Sequence, residues 1–188
     1  MAFSTFFSST GLVAASEMGD KTQLLALTLA TRFKKPWPIL AGILVATVFN
    51  HALAATAGVW VAERVSPTAL AVTLGLTFIG FGVWALKPDE EDEEKKESRF
   101  GPFLTTTILF FLAEMGDKTQ LATVALGARF QDAWVVTAGT TLGMMISDGL
   151  AVGVGDRLSD RISLTWARRF AAVLFFAFGI QKLISIWS

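Results

Sequence analysis

Residues 17–24 read Glu17-Met18-Gly19-Asp20-Lys21-Thr22-Gln23-Leu24, and residues 114–121 repeat them unchanged as Glu114-Met115-Gly116-Asp117-Lys118-Thr119-Gln120-Leu121. The offset of 97 holds without a gap on both sides: Arg32-Phe33 falls on Arg129-Phe130, Trp37 on Trp134, Ala41-Gly42 on Ala138-Gly139, Arg64 on Arg161 and Phe81-Gly82 on Phe178-Gly179. Eight identical residues in a row do not recur by chance. The chain is therefore one duplicated unit, and each copy sets two acids and a lysine into a segment that is otherwise apolar.

That apolar setting defines the fold class. The chain has 188 residues, 53% of them hydrophobic, and its charge is gathered into a few short stretches. Six apolar runs stand out, at 3–31, 36–62, 67–86, 102–128, 134–156 and 166–187. Each reaches the ~20 residues a helix needs to cross about 30 Å of hydrocarbon. They are too long and too uniformly apolar for barrel strands, and only helices or closed barrels satisfy their backbone in lipid. The expectation is an all-α membrane protein with six transmembrane helices. They form two three-helix repeats, 1–87 and 102–188, joined by an acidic linker at 88–101.

Two residue types mark the same boundaries. The five prolines (36, 38, 67, 88 and 102) fall at expected helix starts or in loops, where a missing N–H does no harm. The six tryptophans (37, 60, 84, 134, 166 and 187) lie near run ends, the aromatic belt of a membrane interface. Small residues at four-residue spacing, Ala54/Gly58, Gly139/Gly143 and Gly149/Gly153, read as sites of close helix packing. No Lys or Arg precedes Lys21, so the first run lacks the basic start of a cleaved signal and reads as a spanning helix.

An odd number of crossings per repeat makes the second copy enter from the opposite side, giving inverted repeats, the architecture of secondary transporters. Eleven basic residues fall on one side (Arg32, Lys34, Lys35, Lys87, Lys95, Lys96, Arg99, Arg157, Arg161, Arg168 and Arg169), against Arg64, Arg129 and Lys182 on the other. The positive-inside rule then puts the linker in the cytoplasm and both termini outside. The run Pro88-Asp89-Glu90-Glu91-Asp92-Glu93-Glu94 that opens the linker reads as a solvated charge run. There is no cysteine, hence no disulfide or thiolate metal site. Net charge is zero and no basic patch is interleaved with aromatics, which argues against a nucleic-acid partner.

On an unbroken helix, Glu17, Asp20 and Lys21 fall at i, i+3 and i+4 on one face, as do Glu114, Asp117 and Lys118. Ionised groups at a helix centre cost roughly 2.5–3.5 kcal/mol each, so six unpaired ones would cost on the order of 15–20 kcal/mol. They must face one another or a wet cavity. Four carboxylates and two lysines brought together carry −4 + 2 = −2, which one divalent cation or two protons would neutralise. Oxygen donors, with Gln23, Gln120, Thr22 and Thr119 able to assist, suit Ca²⁺, Mg²⁺ or Mn²⁺. A thioether from Met18 or Met115 would tilt that choice toward Mn²⁺, although membrane packing also accounts for these methionines. Gly19 and Gly116 allow a helix break that turns backbone carbonyls toward the ion. Asp148 is a further acid within a spanning run; the offset pairs it with His51, a candidate for proton transfer, and pairs Ser147 with Asn50.

Two copies of E-x-G-D-K-T in a six-helix inverted repeat resemble the manganese/calcium transporter family of bacteria, chloroplasts and the Golgi, whose signature is E-x-G-D-[KR]-[ST] once per half. The resemblance covers essentially the whole chain, and both copies fit the signature. It implies divalent metal translocation with Glu17, Asp20, Glu114 and Asp117 as ligands, exchange against protons, and no cofactor beyond the transported ion. The short form here is similar to bacterial manganese exporters of the inner membrane, so the resemblance implies Mn²⁺ export.

Three other readings stand beside Mn²⁺/proton exchange. Ca²⁺ could be the cargo. A passive cation channel is opposed by a ring of carboxylates that would hold a divalent ion too firmly for rapid conduction. The two Gly-Asp pairs resemble those of an intramembrane aspartyl protease, but the adjoining lysines would keep Asp20 and Asp117 ionised, whereas a catalytic dyad shares a proton. The chain is therefore not read as an enzyme.

Overall fold

The structure, a computed structural model, describes residues 2–87, 100–154 and 164–186. Among the described residues there are eight α-helices and no strand: α1 (Ala2–Glu17), α2 (Lys21–Phe33), α3 (Pro36–Ala62), α4 (Pro67–Ala85), α5 (Pro102–Glu114), α6 (Lys118–Phe130), α7 (Ala133–Val154) and α8 (Leu164–Ile184). Helices α3, α4 and α7 are long and apolar enough to cross a membrane, and α5 is a shorter apolar helix. The protein is an integral membrane protein. The acidic run at 88–99, together with Arg157 and Arg161, lies outside the described residues.

Local chemistry explains most helix ends. Pro36, Pro67 and Pro102 occupy the first position of α3, α4 and α5, where no intrahelical N–H is needed. Ser66 caps α4 by accepting from the Ala69 N–H. Trp37, Trp60, Trp84, Trp134 and Trp166 are all exposed at or near helix ends.

The first and fourth apolar runs are not continuous helices, which corrects the expectation of one unbroken span in each. Each breaks inside the octapeptide, where Gly19 and Gly116 take φ of 82° and 76°. That left-handed backbone is open to glycine and costs other residues roughly 1–2 kcal/mol. The shared helical face expected for Glu17, Asp20 and Lys21 does not form either: Glu17 ends α1, Asp20 is the extended cap residue of α2 and Lys21 starts α2. Glu114, Asp117 and Lys118 repeat this arrangement.

The offset of the sequence governs the backbone and the packing. Helices α2 and α6 end on left-handed caps, Lys34 (φ 52°) and Gln131 (φ 53°), which are equivalent positions. Helix α3 packs on α5 and α6, α7 packs on α1 and α2, and α4 packs on α8. The crossings are close because the contact residues are small. A Cβ on Gly42 would meet the Phe103 carbonyl oxygen at 2.8 Å, and one on Gly139 would meet the Phe6 carbonyl oxygen at 2.7 Å. Gly143 and Gly58 likewise abut α1 and α6, whereas Gly149 and Gly153 press on no neighbouring backbone, contrary to their expected packing role. Between α4 and α8, Phe78 stacks at 6.4 Å on Phe175, its own equivalent in the other half.

Candidate metal centre

The two breaks meet in the middle of this framework, and all four acids of the octapeptides are buried there: Glu17, Asp20, Glu114 and Asp117. One carboxylate oxygen each of Glu17, Glu114 and Asp117 lie within 4.8 Å of one another. Asp20 stands outside that group.

Both aspartates are paired with lysines. Lys21 and Lys118 each follow the extended aspartate that caps their own helix, and neither forms its ion pair with that neighbour. Each reaches instead into the other half: Lys118 Nζ lies 2.8 Å from Asp20 Oδ1, and Lys21 Nζ lies 3.1 Å from Asp117 Oδ1. The first pair is sealed from solvent, with Lys118 only 7% exposed, while Lys21 keeps 30% of its side chain open. Two aspartates are thereby matched by two lysines, which leaves the charge of Glu17 and Glu114.

Those two glutamates occupy equivalent positions in unlike surroundings. Glu17 accepts from both threonine hydroxyls, at 2.6 Å from Thr22 and through a short contact from Thr119 of the other half. Neither oxygen of Glu114 has a hydrogen-bond partner among the described residues. Asp148 of α7 is fully buried within electrostatic reach of Glu17 and Glu114. His51 is also fully buried, and neither ring nitrogen has a partner among the described residues.

The glutamines brace the breaks. Gly19 N–H donates to Gln23 Oε1 and Gly116 N–H donates to Gln120 Oε1, both at 2.8 Å. Gln23 Nε2 donates to the carbonyl and hydroxyl of Ser147, and Gln120 Nε2 donates to Asn50 Oδ1 at 3.4 Å. Asn50 Nδ2 in turn donates to the Phe111 carbonyl at 3.1 Å. The carbonyls at the breaks themselves accept backbone bonds, Glu17 from the Asp20 N–H and Glu114 from the Asp117 N–H.

The methionines stand apart. Met115 is 56% exposed, unlike the buried carboxylates, and Met18 is half-buried. Met144 packs among Val13, Ala26 and Phe110. The Phe111 carbonyl was not singled out from the sequence, since a backbone acceptor carries no residue signature. The crossed lysine pairs did have a signal, in the Asp-Lys adjacency.

A buried, all-oxygen cluster of carboxylates inside a helical membrane protein is the donor set that suits small hard cations. The comparisons with known proteins agree. The family model described as "Divalent cation/proton antiporter GDT1" matches residues 5–93 and 102–188, and the chain belongs to that family. A Vibrio cholerae protein named "Putative manganese exporter" is 48% identical over 165 residues, covering 87% of this chain and 82% of its own. "GDT1-like protein 4" of Oryza sativa subsp. indica is 32% identical over 207 residues, 96% of this chain and 73% of its own. A Synechocystis protein, "GDT1-like protein sll0615", is 29% identical over 202 residues, 94% of each chain. No solved structure matches.

Proposed function

We propose that this protein exports Mn²⁺ from the cytoplasm in exchange for protons. Glu17, Glu114 and Asp117 hold the ion, and Asp20 with Lys118 frames the site. The observation that carries this reading is the crossed pairing: with each octapeptide aspartate facing a lysine of the other half and Asp148 counted in its protonated form, the remaining charge of −2 sits on Glu17 and Glu114. One divalent cation or two protons restores neutrality, so the same low-dielectric site accepts either cargo but not both together. Asp148, within reach of both glutamates, and His51, its equivalent in the first half, are the groups we assign to proton transfer.

In this reading α1–α2 and α5–α6 each cross the membrane as one discontinuous span, completing six spans in two inverted repeats. The reciprocal contacts support it: Lys118 to Asp20 answers Lys21 to Asp117, and Gly42 on Phe103 answers Gly139 on Phe6. Broken helices meeting at mid-membrane between inverted repeats are how secondary transporters expose a site to each side in turn. The basic residues put the linker in the cytoplasm and both termini outside, in an inner membrane.

Ca²⁺ as cargo has one observation in its favour. The three clustered donors are all carboxylate oxygens, which is also what Ca²⁺ prefers. Uptake of Mn²⁺, Ca²⁺ and Mg²⁺ into proteoliposomes, with Glu114→Gln and Asp117→Asn beside wild type, tests both readings. Mn²⁺ uptake lost in the two variants is the expected result. Faster Ca²⁺ than Mn²⁺ uptake would favour the second reading, and unchanged flux in the variants would remove the site.

A further inference from the structure

We infer that Gln23 and Gln120 are positioning residues that fasten each helix break to the long helix of the opposite half, with Ser147 and Asn50 as their anchors. This rests on the proposed metal site and says what holds its glutamates in place. A side-chain amide has one accepting oxygen and one donating nitrogen, and here both ends are in use. The oxygen that could have turned to an ion accepts the glycine N–H at the break, and the nitrogen crosses to the other half. Neither glutamine is thus arranged as a ligand.

The second break shows the construction most fully. Helix α5 stops at Glu114 because the extended ψ of Met115 turns the next N–H, that of Gly116, out of the helix, and Gln120 Oε1 accepts it. Asn50 donates to the Phe111 carbonyl and accepts from Gln120. The path Gly116–Gln120–Asn50–Phe111 therefore closes around the break from both sides, and its one member from the first half is on α3. At the first break Gln23 reaches Ser147 on α7. Gln23 and Gln120 are equivalent, as are Ser147 and Asn50. The same brace is built twice, each time by one half upon the other. A shift of α3 or α7 must then carry the opposite break, and its glutamate, along with it.

The test uses the full-length protein. In detergent micelles, Gln120→Met keeps the side-chain length and removes both amide groups. It should strip the Gly116 amide of its protection against deuterium exchange. Unchanged protection would overturn the brace whatever ion the protein carries, so this readout stands even if the transport reading fails. In proteoliposomes, Asn50→Leu and Gln120→Met should each raise the half-saturating Mn²⁺ concentration about 10- to 100-fold, as lost outer-shell partners do, with the maximal rate little changed. The double variant should be no worse than the worse single, because both cut one path. Asn50→Ser, which copies the anchor of the other half, should restore half-saturation to near the wild-type value. Additive losses, or a purely maximal-rate effect, would overturn the proposal. So would tighter Mn²⁺ binding by Gln120→Glu, the behaviour of a ligand.

Discussion

The two octapeptides have one sequence and two environments. Around Glu17, Thr22 and Thr119 both donate hydroxyls; around Glu114, neither does. The lysine of the second copy is sealed against Asp20, while the lysine of the first is partly open beside Asp117. The backbone breaks are nevertheless alike, with matching glycine φ and matching glutamine braces. What the copies share is therefore covalent geometry and fixed charge pairing, and what separates them is which groups of the opposite half happen to face them. A duplicated motif need not give two equal ligands. In the proposed exchange, the open carboxylate of Glu114 is the one left for a cation, whereas Glu17 already accepts from donors.

The largest effect that tests this difference is the pair Glu114→Gln and Glu17→Gln. Removing the undonated carboxylate should weaken Mn²⁺ binding about 100-fold or more, about 3 kcal/mol for a charged contact. At alkaline pH, where the metal-free carboxylates have lost their protons, the same change should raise the melting temperature, because it deletes a buried charge with no compensating donor. Glu17→Gln should lower the melting temperature, since the threonine bonds to a charged acceptor weaken. Thermal melts of the two variants without metal read the sign directly, and a shift in the same direction for both would erase the asymmetry.

Next come the lysines. Lys118→Met leaves Asp20 charged in a sealed site and should cost about 3–5 kcal/mol, as broken buried pairs do. Lys21→Met should cost less than this, because water reaches the partly open lysine side of the pair although Asp117 itself is buried. Equal losses in chemical unfolding would mean that the two pairs are equally buried in the membrane. The smallest effect should follow Gly116→Ala. A Cβ there meets nothing within 4 Å, so only the left-handed backbone resists it, at roughly 1–2 kcal/mol. A much larger loss of stability would point to a role for Gly116 beyond its conformation.

Much of this architecture is legible in the sequence, and the exceptions have physical reasons. The run 36–62 coincides with α3 because a proline at its first position and tryptophans near both ends punctuate it. The breaks are visible only as a glycine in an apolar run, a weaker sign, and the helical spacing of Glu17, Asp20 and Lys21 misleads because it presumes the helix continues. The convergence of Glu17, Glu114 and Asp117 follows from the duplication once two halves face each other. The exclusion of Asp20 from that group does not, since Asp20 and Asp117 are equivalent in sequence and each meets a lysine of the other half. Met115 shows the same limit from the other side: its place inside the motif says nothing about where its side chain points.

The central claim is that one site of charge −2 is neutralised by a divalent cation or by protons in turn. The most direct measurement is an inward-acidic proteoliposome, with the protein in known orientation, loaded with a pH dye and given external Mn²⁺. The expected result is Mn²⁺-driven alkalinisation of the lumen as protons leave against the entering metal, absent in Glu114→Gln. Mn²⁺ entry at the wild-type rate with no proton movement would contradict it.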